Sequence, residues 1–274
     1  MLNQPADQYR VVEAFPEMGT EGNLHIYDGL EEGERPFVLG IHGGGWGRGD
    51  QSSFAWLWPR LRALGVSLVL PTYRKAPENP FPAAYEDLVK VGLWLARNGS
   101  AQSLDPSRCV LLGSSAGAHL ALLLATRGML GHDDLPAFRG VATYCGPSNL
   151  TTQHEFESAC GIAMTQAFLA TEPVENGGVH RLASPVNYLH ERMPPLWIAH
   201  GSADSVVPVS QSWEMVEAVR KAGCDPIYHE ARGIGHTMCE HDPDGVPMEP
   251  WQLLFEPDLL RFIKRAINQE AGAG

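Results

Sequence analysis

The sequence lacks any apolar run that approaches the roughly 20 residues needed to cross a bilayer. Its first residues, Met1-Leu2-Asn3-Gln4-Pro5, carry neither basic side chains nor an apolar core, so they do not predict a signal peptide. Internal repeats and low-complexity segments are missing as well. These absences argue against a membrane protein.

Cysteine is scarce and shows no pattern. The five cysteines are odd in number and scattered along the chain: Cys109, Cys145, Cys160, Cys224 and Cys239. This favours free thiols in a reducing compartment over a disulfide framework. Two of them, Cys109 and Cys145, fall in predicted buried strands, as small core residues do. We therefore expect a cytoplasmic protein.

Basic residues are outnumbered, with 20 Lys and Arg against 32 Asp and Glu and a formal net charge of −12. Nucleic acids and anionic membrane surfaces attract basic patches, so neither is expected as a partner. The charge also disfavours polyanionic substrates, and a neutral small molecule is the expected ligand. A hydrophobic fraction of 44% is that of a globular protein with a substantial core.

Short apolar runs alternate with amphipathic segments, which predicts an α/β fold with a doubly wound, mostly parallel sheet. Eight strands are predicted, at 9–15, 23–27, 36–41, 66–70, 109–112, 140–145, 195–200 and 225–231. Helices are predicted at 53–64, 81–98, 118–124, 209–221 and 255–268. No linker divides residues 1–274, so we expect a single domain, with an insertion at about 146–194 forming a small cap.

The pentapeptide Gly113-Ser114-Ser115-Ala116-Gly117 lies between a predicted buried strand and a leucine-rich helix. Gly-x-Ser-x-Gly in this context is typical of a nucleophile elbow, a turn so sharp that strand and helix nearly touch. A β-carbon two residues before or after the serine would clash, which explains the glycines. The pattern predicts that Ser115 is a nucleophile at the carboxyl edge of the sheet.

A serine hydroxyl needs a base to take its proton, and the base needs a third group to orient it. On an elbow fold these partners follow in the order serine, acid, histidine. Asp204 lies in the turn after the strand predicted at 195–200, and His236 follows the last predicted strand, next to glycine. We therefore expect Ser115, Asp204 and His236 to form a catalytic triad.

Other side chains compete for these roles. Asp225 and Glu230 are weaker candidates for the acid, because one begins the final predicted strand and the other points along it. His241, in an acidic loop five residues after His236, is the competing base. Three further histidines are interpreted as structural or hydrogen-bonding residues: His119, His200 and His229.

The carbonyl oxygen under attack needs hydrogen-bond donors, and each preorganised donor contributes roughly 3–4 kcal/mol. The glycines of His42-Gly43-Gly44-Gly45-Trp46 let the main chain turn its N–H groups inward. We expect the amides of Gly44, Gly45 and Ala116 to form this oxyanion hole. Trp46 either lines the acyl pocket, as a substrate-binding residue, or is a buried core aromatic. A phosphate-binding loop is disfavoured, because the P-loop and G-x-G-x-x-G spacings are missing.

Neither a metal ion nor a cofactor is expected. The acidic stretch Glu240-His241-Asp242-Pro243-Asp244 has neither paired helical histidines nor the spacing of a calcium loop. It is better interpreted as a solvated loop. The elbow holds no cysteine, so a cysteine nucleophile is not predicted, and the oligomeric state stays open.

Together these motifs resemble the serine esterases of the α/β-hydrolase superfamily, over nearly the whole chain. The oxyanion motif and Tyr73-Arg74-Lys75-Ala76-Pro77-Glu78-Asn79-Pro80-Phe81-Pro82-Ala83-Ala84 are similar to the hormone-sensitive-lipase-like esterases. The segment from His200 to Asp204, followed by Val206-Val207-Pro208, matches that family's acid turn. In contrast, Gly113-Ser114 in place of Gly-Asp and the short amino-terminal region resemble compact carbohydrate esterases, which remove acetyl or feruloyl groups, and arylformamidases.

The resemblance and the triad predict a serine carboxylic-ester hydrolase that acts on short-acyl, acetyl or aryl, esters through an acyl-enzyme. An arylformamidase-type amide hydrolase would use the same three residues. The alternative from a different class is a binding protein on a hydrolase scaffold that has lost catalysis. For the esterase, activity should rise through about pH 6–7, where an ordinary histidine loses its proton.

Overall fold

The computed structural model describes residues 9–30, 32–155, 158–171, 177–236, 239–241, 247–250 and 252–268. Side chains are not described at 153–155, 239–241, 247–250 and 252–254. Within this part of the chain, eight strands form one sheet in the order β1-β2-β4-β3-β5-β6-β7-β8. The strands are β1 (Arg10–Glu13), β2 (Asn23–Tyr27), β3 (Arg35–Ile41), β4 (Ser67–Leu70), β5 (Leu104–Ser114), β6 (Phe138–Tyr144), β7 (Leu196–Gly201) and β8 (Ile227–Ala231).

Strands β1 and β2 pair antiparallel, as do β2 and β4, and the other neighbours in the sheet pair parallel. The prediction of an eight-stranded, mostly parallel sheet is therefore confirmed. A separate two-stranded ribbon joins β9 (Cys239–His241) and β10 (Pro247–Pro250).

Eight α-helices accompany the strands in the described part of the chain. They are α1 (Trp58–Ala63), α2 (Ala83–Asn98), α3 (Ala116–Leu123), α4 (Met129–Gly131), α5 (Ala159–Leu169), α6 (Gly178–Leu182), α7 (Ser210–Lys221) and α8 (Gln252–Asn268). A π-helical turn at Leu124–Gly128 joins α3 to α4. The helix predicted at 53–64 is shorter than expected. Residues Ala55–Leu57 form a 3-10 turn, and α1 begins at Trp58. The next residue, Pro59, has no N–H, which suits the first turn of a helix because N–H groups there have no acceptor within the helix.

Strand β3 shows why the sheet is buried on both faces. Phe37, Leu39 and Ile41 belong to one core and Val38 to the other, and all four are fully buried. A strand covered on both sides loses the alternation of polar and apolar residues, so it is a continuous apolar run in the sequence.

Helices cover both faces, which confirms the doubly wound arrangement. Leu88 of α2, Leu120 of α3 and Met215 of α7 lie in one core. Leu61 of α1 and Phe262 of α8 lie in the other. None of the helices in the described ranges combines the length and the apolar character needed to cross a bilayer.

The sheet order reverses at β3, since β4 lies on one side of it and β5 on the other. In open α/β sheets, ligands collect at the carboxyl ends of the strands near such a reversal. The turn after β5 and the loop after β3 meet there. A β-carbon placed on Gly43 would lie 2.8 Å from the main-chain oxygen of Ser114 and 3.3 Å from Cβ of Ser115. The fold therefore brings the predicted nucleophile and the predicted oxyanion loop to one edge.

Candidate active site

The turn from β5 into α3 holds Ser115 in a conformation that side chains rarely adopt, with φ 53° and ψ −122°. Such a residue costs about 1–3 kcal/mol and persists only where its surroundings enforce it. A β-carbon on Gly113 would overlap the main chain of Gly117, and one on Gly117 would overlap the main-chain oxygen of Ile41. The steric requirement for glycine on both sides of the serine is thus present in the fold. The Ser115 amide donates to the Tyr144 carbonyl at 2.8 Å, which ties the turn to β6.

The loops after β7 and β8 pack closely against one another. The Ala203 amide donates to the Ile234 carbonyl at 3.0 Å, and a β-carbon on Gly201 would overlap that same oxygen. Asp204 lies on the first of these loops and His236 on the second. Parallel pairing of β7 with β8 therefore explains why two side chains 32 positions apart come together.

His236 contacts both of its expected partners. Its Nδ1 lies 2.7 Å from Asp204 Oδ2, and its Nε2 lies 3.0 Å from Ser115 Oγ. An ionised carboxylate only accepts hydrogen bonds, so Nδ1 carries a proton and donates. In the neutral ring Nε2 is then free to accept the serine proton. The structure brings together the three residues predicted from separate motifs: Ser115, Asp204 and His236.

The Asp204 carboxylate is completely buried and accepts hydrogen bonds on both oxygens. Oδ1 accepts from the amides of Val206 and Val207 at 2.9 and 2.8 Å. Oδ2 accepts from His236 and from His200, whose Nε2 lies 3.2 Å away. The contact with His200 was not predicted. The spacing of His200 and Asp204 across one turn was the signal in the sequence that could have indicated it.

These contacts set the charge of the acid. Burial raises the pKa of Asp204, but hydrogen bonds from His200 and His236 lower it by more, to about 2. The carboxylate therefore stays ionised across the physiological range, which suits a group that must orient an imidazole. Neither competing acid contacts His236: Glu230 accepts from Trp213 and Tyr228, and Asp225 lies 3.7 Å from Arg220.

Cys145 is a further neighbour of this pair that the sequence did not indicate. It is fully buried with φ 43°. Its Sγ lies within 4.8 Å of a carboxylate oxygen of Asp204 and a ring nitrogen of His236. Burial raises the pKa of its thiol. Burial lowers the pKa of His236, but Cys145 and the hydrogen-bonded Asp204 raise it by more, so the net pKa lies above the usual range. A thiolate, an imidazole and a carboxylate can together bind a metal ion. Here the imidazole and the carboxylate are already hydrogen-bonded to each other.

The glycine loop after β3 adopts left-handed backbone conformations. Gly44 has φ 108° and Gly45 has φ 59°, and a β-carbon on Gly44 would overlap the main chain of Arg48. The loop is anchored by the buried ring of His42, which lies 2.8 Å from Gly43 O and 2.8 Å from Thr72 Oγ1. Burial lowers the pKa of His42 to about 4, so this ring is neutral and acts through its hydrogen bonds.

Trp46 and His119 contact each other beneath the glycine loop. The Trp46 indole is 3% exposed, donates to His119 Nδ1 at 3.2 Å and stacks on Phe168 at 4.4 Å. His119 Nε2 lies 2.7 Å from the Ala183 carbonyl, so the hydrogen-bonding role expected for His119 is confirmed. Trp46 is a core aromatic, and its contact with substrate stays a prediction.

Two other expectations concern the remaining cysteines and the competing base. Cys109, Cys145, Cys160 and Cys224 are free, and the first two are buried as predicted. The side chains of Cys239 and of the acidic stretch 240–244, including that of the competing base His241, lie outside the described part of the chain.

The BD-FAE family model matches residues 24–219, which is most of the chain. The chain belongs to the BD-FAE family. The match includes β2 to α7 and therefore the serine turn, the glycine loop and the acid turn. It ends before His236.

Curated relatives of this chain are named as ester hydrolases. Esterase LipQ of Mycobacterium tuberculosis is 30% identical over 233 residues, which cover 80% of this chain and 55% of LipQ. The probable carboxylic ester hydrolase LipM of the same organism is 26% identical over 227 residues, covering 79% of this chain and 53% of LipM. This BD-FAE member spans about half the length of these relatives.

Solved structures share the fold. A truncated form of a carbohydrate esterase from gut microbiota superposes with a TM-score of 0.80 at 21% identity, covering 96% of this chain and 99% of that one. A hyperthermophilic esterase from Pyrobaculum calidifontis gives a TM-score of 0.78 at 20% identity, covering 97% and 88%. This BD-FAE protein therefore has the α/β-hydrolase fold.

Proposed function

We propose that the protein is a serine carboxylic-ester hydrolase with the triad Ser115, His236 and Asp204. One observation carries this proposal: the unbroken chain of contacts from Ser115 Oγ through the imidazole to a buried carboxylate, at 3.0 and 2.7 Å. Two relatives support the same class of reaction: LipQ is named an esterase and LipM a probable carboxylic ester hydrolase.

In the first half of the reaction, Ser115 Oγ attacks the ester carbonyl carbon while His236 Nε2 takes its proton. Asp204 holds the ring in the tautomer with its proton on Nδ1 and stabilises the imidazolium that forms. The tetrahedral intermediate collapses, the bond to the alcohol oxygen breaks, and His236 returns the proton to the leaving alcohol. Water then attacks the acyl-enzyme with the same assistance and releases the carboxylic acid.

The amides of Gly44, Gly45 and Ala116 bind the oxyanion in this proposal. Ala116 is the first residue of α3, where an N–H has no acceptor within the helix and the helix dipole favours negative charge. The positive φ values of Gly44 and Gly45 and the anchoring of the loop by His42 support a preorganised backbone.

The insertion between β6 and β7, about 146–194, acts as a small cap that limits the acyl group. Met164 of α5 packs so closely on the glycine loop that a β-carbon on Gly45 would overlap its sulfur. Phe168 of the same helix stacks on Trp46. These contacts support a confined acyl side and a preference for short chains, such as acetyl esters.

The test compares p-nitrophenyl esters from acetate to decanoate, alongside acetylated xylan, methyl ferulate and N-formyl anilides. We expect the fastest turnover on the shortest acyl chains, and formamide cleavage faster than ester cleavage would contradict the proposal. Ser115→Ala should lower turnover by about 10⁴–10⁶-fold. A fluorophosphonate probe should label the wild type and not this variant. Failure to label the wild type would instead indicate a binding protein.

A further inference from the structure

His200, in β7, is a completely buried histidine with polar contacts on both ring nitrogens. Its Nε2 lies 2.9 Å from the Val207 carbonyl oxygen and 3.2 Å from Asp204 Oδ2. Its Nδ1 lies 2.7 Å from Ser212 Oγ on α7. The ring therefore joins the acid turn to a helix on one face of the sheet.

These contacts determine which nitrogen carries the proton. A carbonyl oxygen only accepts hydrogen bonds, and so does an ionised carboxylate. Nε2 faces one of each, so it must be protonated and donate to both. In the neutral ring Nδ1 then accepts from the Ser212 hydroxyl. The orientation of His200 thus leaves Nε2–H directed at the acid.

We propose that His200 is a positioning residue that holds Asp204 Oδ2 against His236 and shares the charge of that oxygen. This inference rests on the proposed function, since it assigns His200 a task only if Asp204 orients the base. The Val206 and Val207 amides hold Oδ1, so His200 is the donor that restrains the oxygen facing the imidazole.

Charge sharing gives the inference a measurable signature. Without the His200 donor, more negative charge remains on Oδ2 for His236, and this raises the pKa of the imidazole. His200 and Asp204 have three titratable neighbours in the described part of the chain. His236 and Cys145 lie beside Asp204. Glu230 of β8 lies opposite His200 of β7 in the register of these two strands. The contact from α7 is the uncharged Ser212 hydroxyl.

The experiment compares His200→Leu, which removes the donor, with His200→Gln, whose amide nitrogen can replace Nε2. Because a hydrogen bond to a charged group is involved, kcat for p-nitrophenyl acetate should fall about 10- to 100-fold in His200→Leu, with KM nearly unchanged. The ascending limb of the pH–rate profile should move to higher pH. His200→Gln should recover most of kcat and return the limb toward its wild-type position.

His180→Leu is the matched control, because His180 is a buried histidine on α6. It should leave the pH limb in place. If His200→Leu and His200→Gln lose activity equally and neither moves the limb, His200 only fills space and the inference is wrong. Should His200→Leu fail to fold, Ser212→Ala decides, because it removes the hydroxyl that holds His200 Nδ1. An upward limb shift in Ser212→Ala supports the inference, and an unmoved limb overturns it.

Ser115→Ala, assayed in parallel, separates this inference from the proposed function. Activity retained by Ser115→Ala would overturn the esterase mechanism itself. An inactive Ser115→Ala together with an unmoved pH limb in His200→Leu would overturn only the positioning role.

Discussion

The turn that carries Ser115 and the pair formed by Asp204 and His236 are in direct contact, yet they are held in place by different means. The turn is shaped by close approach of main-chain atoms at Gly113 and Gly117. The acid and base are held by side-chain and amide hydrogen bonds around a buried carboxylate.

The difference predicts opposite sensitivities. Added volume should disrupt the serine turn, because a main-chain oxygen cannot move away as the end of a side chain can. The acid–base pair should respond to the loss of a donor or a charge and to pH, because unpaired buried polar groups are costly. Each prediction below tests one side of this comparison.

Among the changes that test this comparison, Asp204→Asn should have the largest effect. The amide nitrogen would face the donating nitrogen of His200 and favour the wrong tautomer of His236, so kcat should fall about 10⁴-fold. Steady-state kinetics on p-nitrophenyl acetate measure this. Asp87→Asn is the matched control, since Asp87 is a buried carboxylate that binds Arg74 instead. It should lose stability and keep kcat within a few-fold. Equal losses of kcat would mean that Asp204 has no special role.

A second prediction concerns stability. Gly117→Ala forces a β-carbon onto the main-chain oxygens of Ile41 and His42, so the free energy of unfolding should drop by about 3 kcal/mol. Urea denaturation followed by circular dichroism measures the change. Gly178→Ala is the control, because a β-carbon there meets open space and alanine favours a helix. If the two variants unfold alike, main-chain crowding does not shape the serine turn.

The smallest effect is a pH shift. Because Cys145 and Asp204 raise the pKa of His236, the ascending limb of activity should lie above the pH 6–7 expected for an ordinary histidine. Cys145→Ala removes one group that favours the charged ring, so the limb should move to lower pH by less than about one unit. Cys160→Ala, at an exposed cysteine, should leave it unmoved. A limb that does not respond to Cys145→Ala would exclude the thiol from the electrostatics of the base.

Most of the sheet was predictable, because strands such as β3 and β4 are continuous apolar runs between turn residues. The start of α1 was not, since the amphipathic pattern at 53–64 continues through a 3-10 turn that periodicity does not distinguish from a helix. The glycine positions around Ser115 followed from local sterics alone. Each of these successes depends on residues that are near one another in the chain.

The sequence by itself determined the fold class and the order of serine, acid and base, because apolar periodicity and glycine-bounded turns act over short distances. Only the tertiary structure decided that His200 and Cys145 surround the acid and the base, and that Met164 lies on Gly45. Those contacts join β7, the end of β6 and the inserted helix α5. Their geometry depends on how separately formed elements pack, and local chain preference does not encode it.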